Sequence, residues 1–156
     1  MKIEDAIKQV QFKNNRQKAM INVLYTASWL NTKSAGAIKK QPVTMQQFNV
    51  LRILRGAKGK PVPVKYIKER MLDKMPDVSR IVDKLVRKGY VERKECTSDR
   101  RNVDISITDT GLALLEHLDQ LIDPFQEIFT VLSEEELIQL NALLDKLRSS
   151  EKAEDY

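Results

Sequence analysis

The stretch DVSRIVDKLVRKGYVERKECTSDRRNVDISITDTG, from Asp77 to Gly111, decides the fold because its hydrophobic spacing changes along its length. YVERKE is typical of a strand, and VDISIT alternates apolar with polar residues, as a strand with one buried face does. Before them, Gly89 marks the stop of a helix. The apolar residues of that helix recur at helical intervals, at Val78, Ile81, Val82 and Leu85. The stretch therefore predicts a helix, then two strands joined by a long loop.

Two details of this stretch follow from local chemistry. We expect Pro76 to be the first helical residue, because proline is tolerated in the first turn, and Lys88 to lie in the last turn. In the second strand, alternate side chains must point to opposite faces. The expected inward residues are Val103, Ile105 and Ile107, and the expected outward residues are Asp104, Ser106 and Thr108.

The residues before this stretch predict further helices. A helical pattern that begins at Ile3 indicates one long or broken helix running to about Gly36. Thr44, with Gln47 three residues later, forms a capping box for a second helix. GKPVPV predicts a turn with one or two extended residues, because proline cannot occupy a central strand. A short helix is expected from Val64 to Met71.

The residues after this stretch also predict helices. A long amphipathic helix carries a run of leucines beginning at Leu112, and we expect an interruption or kink near Pro124. A last helix begins at a second capping box, formed by Ser133 and Glu136. Residues 151–156 are expected to be a frayed tail.

Charge is distributed unevenly along the chain. The net charge is +5, but residues 1–102 carry 24 lysines and arginines against nine acids. Residues 103–156 carry three against 13. A basic portion followed by an acidic one favours nucleic acid as the partner, with the acidic end facing away.

Several classes of protein are disfavoured by the composition. With 156 residues, 42% of them hydrophobic, the chain suits one soluble domain with an added oligomerisation element. No apolar run suggests a membrane span or a secretory signal, so we expect a cytoplasmic protein without membrane contact. Cys96 is the only cysteine and cannot form an intrachain disulfide.

Catalysis has little support in the sequence. His117, the only histidine, lies in a leucine-rich helix and is not grouped with a carboxylate and a nucleophile. We find no phosphate-binding glycine loop and no metal-ligand spacing. We expect no catalytic residue, no metal site and no cofactor.

The order of elements predicts a mainly α fold with a small β-hairpin, that is, a winged helix-turn-helix. Residues 41–108 would form the DNA-binding lobe. Residues 1–40 and 109–150 would form a helical dimerisation region, because their apolar stripes need a partner and a second copy is the simplest one. Such a homodimer would present two reading helices to two half-sites of double-stranded DNA.

Residues 44–122 resemble the MarR family of bacterial transcription regulators. The similarity rests on the helix ending in Lys88-Gly89, the Val-Glu-Arg strand, the Asp-Arg-Arg loop and the Thr-x-x-Gly that follows the second strand. TMQQFNVLRIL also resembles a helix of that family. Lys68 stands where the family usually has alanine, and LDKMPD lacks the usual Ser/Thr-rich entry to the reading helix.

The outward face of the predicted reading helix holds the candidate DNA contacts. Ser79 and Arg80 are our first choices, since arginine can pair with guanine and a serine hydroxyl can donate or accept. Lys84 and Arg87 are better placed for phosphates. Asp77 could accept from cytosine, although its better-supported role is to favour the positive end of the helix dipole.

The loop between the strands is expected to be a wing that contacts DNA. The resemblance implies that one of Arg100 and Arg101 enters the minor groove while Asp99 holds a neighbouring arginine. The residues themselves do not say which arginine does so. Cys96 lies in the same loop, but neighbouring acids offset the bases that would activate its thiol, and a redox role is disfavoured.

The resemblance also implies a small aromatic effector that binds between the dimer helices and the lobe. The aromatic groups that could line such a site are Tyr25, Trp29, Phe48 and Tyr66. Aromatic residues at helical spacing usually belong to a core, so the sequence names no ligand.

Two functions remain. The leading one is a homodimeric, sequence-specific DNA-binding regulator, most simply a repressor, that reads a pseudopalindromic operator. The alternative is a winged-helix module for protein–protein assembly, in which the charged faces meet a protein and not DNA.

Overall fold

The computed structural model describes residues 1–73, 76–95 and 103–149. The chain divides into two compact units, the first being Met1–Leu121 and the second beginning at Ile122. In chain order the elements are α1 (Ile3–Ile7), α2 (Asn15–Ala37), α3 (Met45–Gly56), β1 (Val62–Pro63), α4 (Val64–Arg70), α5 (Val78–Arg87), β2 (Val91–Glu95), β3 (Val103–Ile107), α6 (Asp109–Ile122), a 3-10 helix (Asp123–Val131) and α7 (Glu134–Arg148). This order confirms the predicted mainly helical winged helix-turn-helix fold.

The N-terminal helix is broken, which is one of the two predicted forms. Lys8 ends α1 with a left-handed backbone (φ 55°), and Asn14 begins α2 by accepting a hydrogen bond from the Gln17 N–H at 2.9 Å. Asparagine tolerates the extended N-cap conformation and supplies the acceptor that the first turn lacks. Local interactions therefore explain both where α1 ends and where α2 begins.

The capping box predicted for α3 is present. Thr44 Oγ1 accepts from the Gln47 N–H at 3.3 Å, and Gln47 Oε1 accepts from the Thr44 N–H at 3.2 Å. With its start fixed, α3 directs its apolar face into the core of the first unit. The fully buried side chains of that core include Leu51, Leu54, Ile67, Leu85, Ile105, Leu115 and Leu118.

The start predicted for α5 at Pro76 is wrong, whereas its predicted end is confirmed. Asp77 is the N-cap, and its Oδ1 accepts from the Arg80 N–H at 3.1 Å, so the helix begins at Val78. Aspartate satisfies an orphan N–H, which proline cannot do, and the capping interaction therefore sets the boundary. At the other end, Gly89 adopts φ 75°, and the Tyr90 N–H donates to the Leu85 carbonyl at 3.1 Å, as in a Schellman motif.

The sheet has three strands in the order β1-β3-β2, where the sequence predicted a two-stranded hairpin. Val62 pairs with Ile105 and Pro63 with Asp104, which makes β1 an edge strand. Proline is tolerated there because an edge strand leaves one row of N–H positions unpaired. GKPVPV thus contains two extended residues, within the predicted one or two, and they belong to the sheet.

The predicted inward and outward faces of β3 are partly wrong. Ile105 is fully buried as expected, but Val103 is 42% exposed and Ser106 is only 6% exposed. Val103 pairs only with Glu95, at the end of the ladder and beyond β1, so little covers its side chain. Ser106 can be buried because its hydroxyl donates to Glu92 Oε1 at 3.0 Å.

Thr108 joins the end of the sheet to the start of α6. Its hydroxyl donates to the Gly89 carbonyl at 2.7 Å and accepts from the Gly111 N–H at 3.1 Å. Its own N–H donates to the Tyr90 carbonyl at 3.1 Å. The threonine of the Thr-x-x-Gly motif thus caps α6 and fastens it to the C-terminal turn of α5.

We expect Thr108→Val to lower the free energy of unfolding by about 1–2 kcal/mol, because the variant keeps the shape but loses both hydroxyl hydrogen bonds. Urea denaturation measures the change. Thr108→Ser is the control, since it keeps the hydroxyl and should recover most of the loss. Equal losses in both variants would show that the methyl group, not the hydroxyl, carries the effect.

The second unit contains the predicted interruption and the second capping box. Pro124 lies in the first turn of the 3-10 helix that follows α6, and Ser133 and Glu136 cap α7 reciprocally at 3.3 and 2.8 Å. α7 buries none of its side chains in the single chain, and Ile138 and Leu143 are 60% and 66% exposed. Across the described residues, every helix is too short or too polar to cross a membrane.

Candidate nucleic-acid interface

α5 separates its residues onto two faces, as predicted. Its buried face packs into the core of the first unit through Val78, Ile81, Val82 and Leu85. Its outward face exposes Ser79, Arg80, Lys84 and Arg87, four of the five contact residues predicted for this part of the chain. The helix is therefore held from behind by apolar packing while a polar and basic surface is presented to solvent.

The cations of α5 and its C-cap differ in what they bind within the protein. The side chains of Arg80 and Lys84 have no ion pair or hydrogen bond among residues 1–73, 76–95 and 103–149, and both are exposed. Arg87 donates from Nε to the Asp83 carbonyl at 3.4 Å, a long contact. Lys88 donates to the Pro42 carbonyl and, at 3.2 Å, to Gln47 Oε1. Arg80 and Lys84 are thus available to an external anion, whereas Lys88 fastens α5 to the start of α3.

Asp77 is occupied by its capping role. Its carboxylate accepts the Arg80 N–H, which places a negative charge at the positive end of the α5 dipole, the better-supported of its two predicted roles. The same hydrogen bond orients the backbone of Arg80. Asp77 therefore fixes the backbone of the first cation on the exposed face.

Sequence reasoning missed an ion pair between α5 and β2. Arg93 Nη2 contacts Asp83 Oδ1, and both side chains are about half exposed. Asp83 is the one acid within α5, and an acid on an otherwise basic face was the signal in the sequence. The pair joins α5 directly to β2, the strand that leads to the predicted wing.

A second group of charges lies on the hairpin. Lys94 Nζ contacts Glu92 Oε1 at 2.8 Å, and the Ser106 hydroxyl donates to the same oxygen. The hydrogen bond from Lys94, together with the one from Ser106, holds the pKa of Glu92 below its ordinary value. This acid therefore stays ionised and offsets Lys94 rather than leaving it for DNA.

The predicted wing residues Asp99, Arg100 and Arg101, and the cysteine Cys96, lie outside the described residues. The strands that lead to them are described. β2 and β3 are paired as far as Glu95 and Val103, so the hairpin extends to both ends of the segment 96–102.

The four aromatic residues predicted to line an effector site lie on three helices. Tyr25 and Trp29 are one turn apart on α2, and Trp29 is 38% exposed. Phe48 is buried in α3, and the Tyr66 ring is covered by the Arg70 guanidinium, 3.5 Å from its centroid. An open cleft of about 580 Å³ lies elsewhere, between the end of α2 and the start of α3, and none of the four residues lines it. The effector residues stay a prediction.

Metal ligands are not grouped in the described part of the chain. Within residues 1–73, 76–95 and 103–149, no group of three or more histidine, cysteine, aspartate or glutamate side chains is placed to hold a metal ion.

Sequence comparison identifies relatives of this chain among known proteins. The MarR family profile matches residues 43–103. The multiple antibiotic resistance protein MarR of Escherichia coli (strain K12) is 36% identical over 107 residues, which cover 67% of this chain and 73% of that protein. The HTH-type transcriptional repressor MdtR of Bacillus subtilis (strain 168) is 32% identical over 120 residues, or 76% of each chain.

A solved structure has the same fold as this chain. The crystal structure of a mutant MarR from E. coli complexed with operator DNA superposes with a TM-score of 0.68 and 28% identity, covering 83% of this chain and 95% of that one. The family consists of transcriptional regulators and not of enzymes, in agreement with the sequence. The profile, the level of identity and the shared winged helix-turn-helix show that this chain belongs to the MarR family of transcriptional regulators.

Proposed function

We propose that the protein is a homodimeric, sequence-specific DNA-binding repressor that acts in the cytoplasm on a pseudopalindromic operator. The observation that carries this proposal is the pair of exposed cations on α5, Arg80 and Lys84, which have no partner in the described part of the chain. The part of the fold that the structure describes gives these side chains no partner, whereas a nucleic acid supplies phosphates and base edges at this spacing.

In the proposed complex α5 lies in the major groove. Arg80, in the first turn, would pair bidentately with guanine O6 and N7, and the Ser79 hydroxyl would reach a neighbouring base edge or phosphate. Lys84 lies one turn further on and would contact a phosphate, with Arg87 beyond it at the limit of reach. Asp77 stays on the helix N-terminus as the cap that orients Arg80.

The homodimer is proposed because long helices expose apolar side chains that no described part of the same chain covers. α2 buries none of its 23 residues, and it exposes Met20 and Leu24 by 57% and 63%. α7 likewise buries none of its side chains. The residues 1–40 and 109–150 would bury these faces against a second copy, and the two-fold axis would place the two α5 helices about 34 Å apart, one turn of DNA.

The comparisons support the proposal through two relatives. MdtR of B. subtilis is a transcriptional repressor, and a mutant MarR of E. coli was crystallised with operator DNA. The family resemblance also supports release by a small aromatic effector. Tyr25 and Trp29, both partly exposed on α2, are the groups that such a ligand would meet first.

Selection from a random pool of duplex DNA, repeated at two salt concentrations, tests the proposal. A repressor of this kind should enrich a pseudopalindrome whose half-site centres lie about 10 base pairs apart. A winged-helix assembly module would retain DNA only weakly and would enrich no motif. That result would replace the repressor by the alternative function.

The predicted wing residues are tested by the salt dependence of DNA binding. We expect Arg101→Ala to weaken operator binding and to reduce the slope of log K against log salt by about one unit, because one fewer phosphate charge is neutralised. Arg100→Ala, measured alongside, shows which arginine enters the minor groove. An Asp99→Ala protein should lose affinity without a comparable change of slope, since Asp99 is proposed to hold an arginine and not to contact DNA. An unchanged slope for Arg101→Ala would remove that residue from the groove.

A further inference from the structure

The ion pair between Asp83 and Arg93 joins two elements that the proposed function uses separately. Asp83 lies in the middle of α5, and Arg93 lies in the middle of β2, where its Cα partner in the sheet is Ile105. Between the two elements the chain only turns at Gly89. The ion pair is therefore a polar link between α5 and the exposed part of the hairpin, in addition to the turn at Gly89 and the packing of buried Val91.

The choice of partner is informative. Asp83 has Arg80 three residues before it and Arg87 four residues after it, and both spacings allow an ion pair along a helix. Its carboxylate instead contacts Arg93, and Arg87 reaches only the backbone carbonyl of Asp83. The Arg80 guanidinium therefore has no ion pair with Asp83 or any other acid in residues 1–73, 76–95 and 103–149, although the spacing to Asp83 would allow one.

Electrostatics alone would disfavour an acid at this position. A carboxylate on the face that meets a polyanion repels phosphates, and losing it should strengthen the binding of any DNA. Half-exposed pairs of this kind contribute little to folding stability, because solvent screens them. Neither DNA attraction nor stability accounts for an acid here, whereas fixing the hairpin relative to α5 does.

We infer that Asp83 and Arg93 are positioning residues that hold the wing hairpin at the angle at which it can engage DNA together with α5. This role rests on the proposed function. Without the pair, the exposed part of the hairpin beyond Arg93 is held less firmly relative to α5, and its order must be restored when DNA binds, which lowers the affinity for the operator. Arg93 acts through the hairpin and not through a DNA contact of its own.

The test compares Asp83→Asn with the parent on two DNA probes, the selected operator and an unrelated duplex of equal length. Positioning predicts opposite changes. Operator affinity falls by roughly fivefold to tenfold, the loss expected for ordering a side chain or two on binding, while affinity for the unrelated duplex stays equal or rises. Glu69→Gln is the matched control, because Glu69 is an exposed acid of α4 that does not join α5 to β2, and it should leave operator affinity unchanged.

A double-mutant cycle with Arg93→Gln completes the DNA measurements. If the two residues act as a unit, Asp83→Asn should cost little further operator affinity once Arg93 is already replaced. Tighter operator binding by Asp83→Asn, or fully additive losses in the cycle, would overturn the inference. Loss of discrimination at one base pair alone would do so too, since it would make Asp83 a base-reading residue.

Amide hydrogen exchange without DNA separates this inference from the proposed function. Asp83→Asn should speed exchange in β2 and β3 while leaving the buried core of α3 and α5 unchanged. Unchanged exchange in the hairpin would overturn the positioning role even for a protein that binds its operator. If the parent selects no operator, the repressor proposal fails, and the exchange experiment still decides whether the pair holds the hairpin.

Discussion

Gly111→Ala is expected to lower the free energy of unfolding by about 3 kcal/mol or more, near the upper end of the effects of overpacking. A Cβ on Gly111 would lie 2.1 Å from the Tyr90 carbonyl oxygen and 2.9 Å from Ile107 Cγ1. The nearer atom belongs to the backbone and also accepts the Thr108 N–H, so it cannot move without breaking the junction between the sheet and α6.

The sign of this effect opposes helix propensity. Gly111 lies in the first turn of α6, where alanine is by itself about 1 kcal/mol more favourable than glycine. The clash outweighs this preference because it displaces backbone and not the end of a flexible side chain. Thermal unfolding should show a decrease in Tm of roughly 6–12 °C for a loss of this size.

Gly36→Ala is the matched control, because Gly36 is also helical but a Cβ there would meet nothing within 4 Å. It should leave stability unchanged or raise it by up to about 1 kcal/mol. Equal stability of Gly111→Ala and the parent would contradict the close approach of α6 to Tyr90.

Arg80→Ala should weaken binding to the selected operator by about 2 kcal/mol, or roughly 30-fold, the discrimination that a bidentate arginine–guanine pair provides. The loss should be confined to operator DNA and should relax the preference at one base pair of each half-site. Binding measurements on the operator and on single-position variants of it give both quantities. Stability should not change, because Arg80 has no side-chain partner in the described residues.

Three comparisons make this result specific to Arg80. Arg16→Ala removes another exposed arginine, from the first turn of α2, and should leave operator affinity nearly unchanged. Arg80→Lys keeps the charge without the guanidinium fork, so it should still lose specificity. Lys84→Ala should weaken all DNA to a similar extent, as a phosphate contact does. Full activity of Arg80→Lys would make Arg80 a phosphate contact instead.

Local chemistry made the outline of the fold readable from the sequence. The capping boxes at Thr44 and Ser133 and the stop at Gly89 involve residues a few positions apart, so their partners are present in the sequence itself. The period of apolar residues in α5 likewise predicted its buried face and the outward position of its polar and charged residues, among them Arg80 and Lys84. The family resemblance then led to the prediction that these outward residues contact DNA.

The predictions were wrong where two local signals competed for a helix start. They were also wrong where the burial of a strand residue depended on a distant part of the chain. Pro76 and Asp77 both fit the start of a helix, and the hydrogen bond of Asp77 decided between them. Alternation in β3 could not show that β1 covers only part of the strand, which leaves Val103 exposed. It also could not show that Glu92 gives buried Ser106 a partner.

By itself, the sequence determined the helices, the hairpin and the set of outward residues on α5, because those features depend on neighbours along the chain. Only the tertiary structure decided which cations remain free. Lys88 is bound by the loop before α3, 46 residues away, and Arg93 by Asp83 across the turn at Gly89, while Arg80 and Lys84 meet no partner among the described residues. A charged side chain is occupied or available according to the oppositely polarised groups that folding brings within reach, and spacing along the chain does not record those groups.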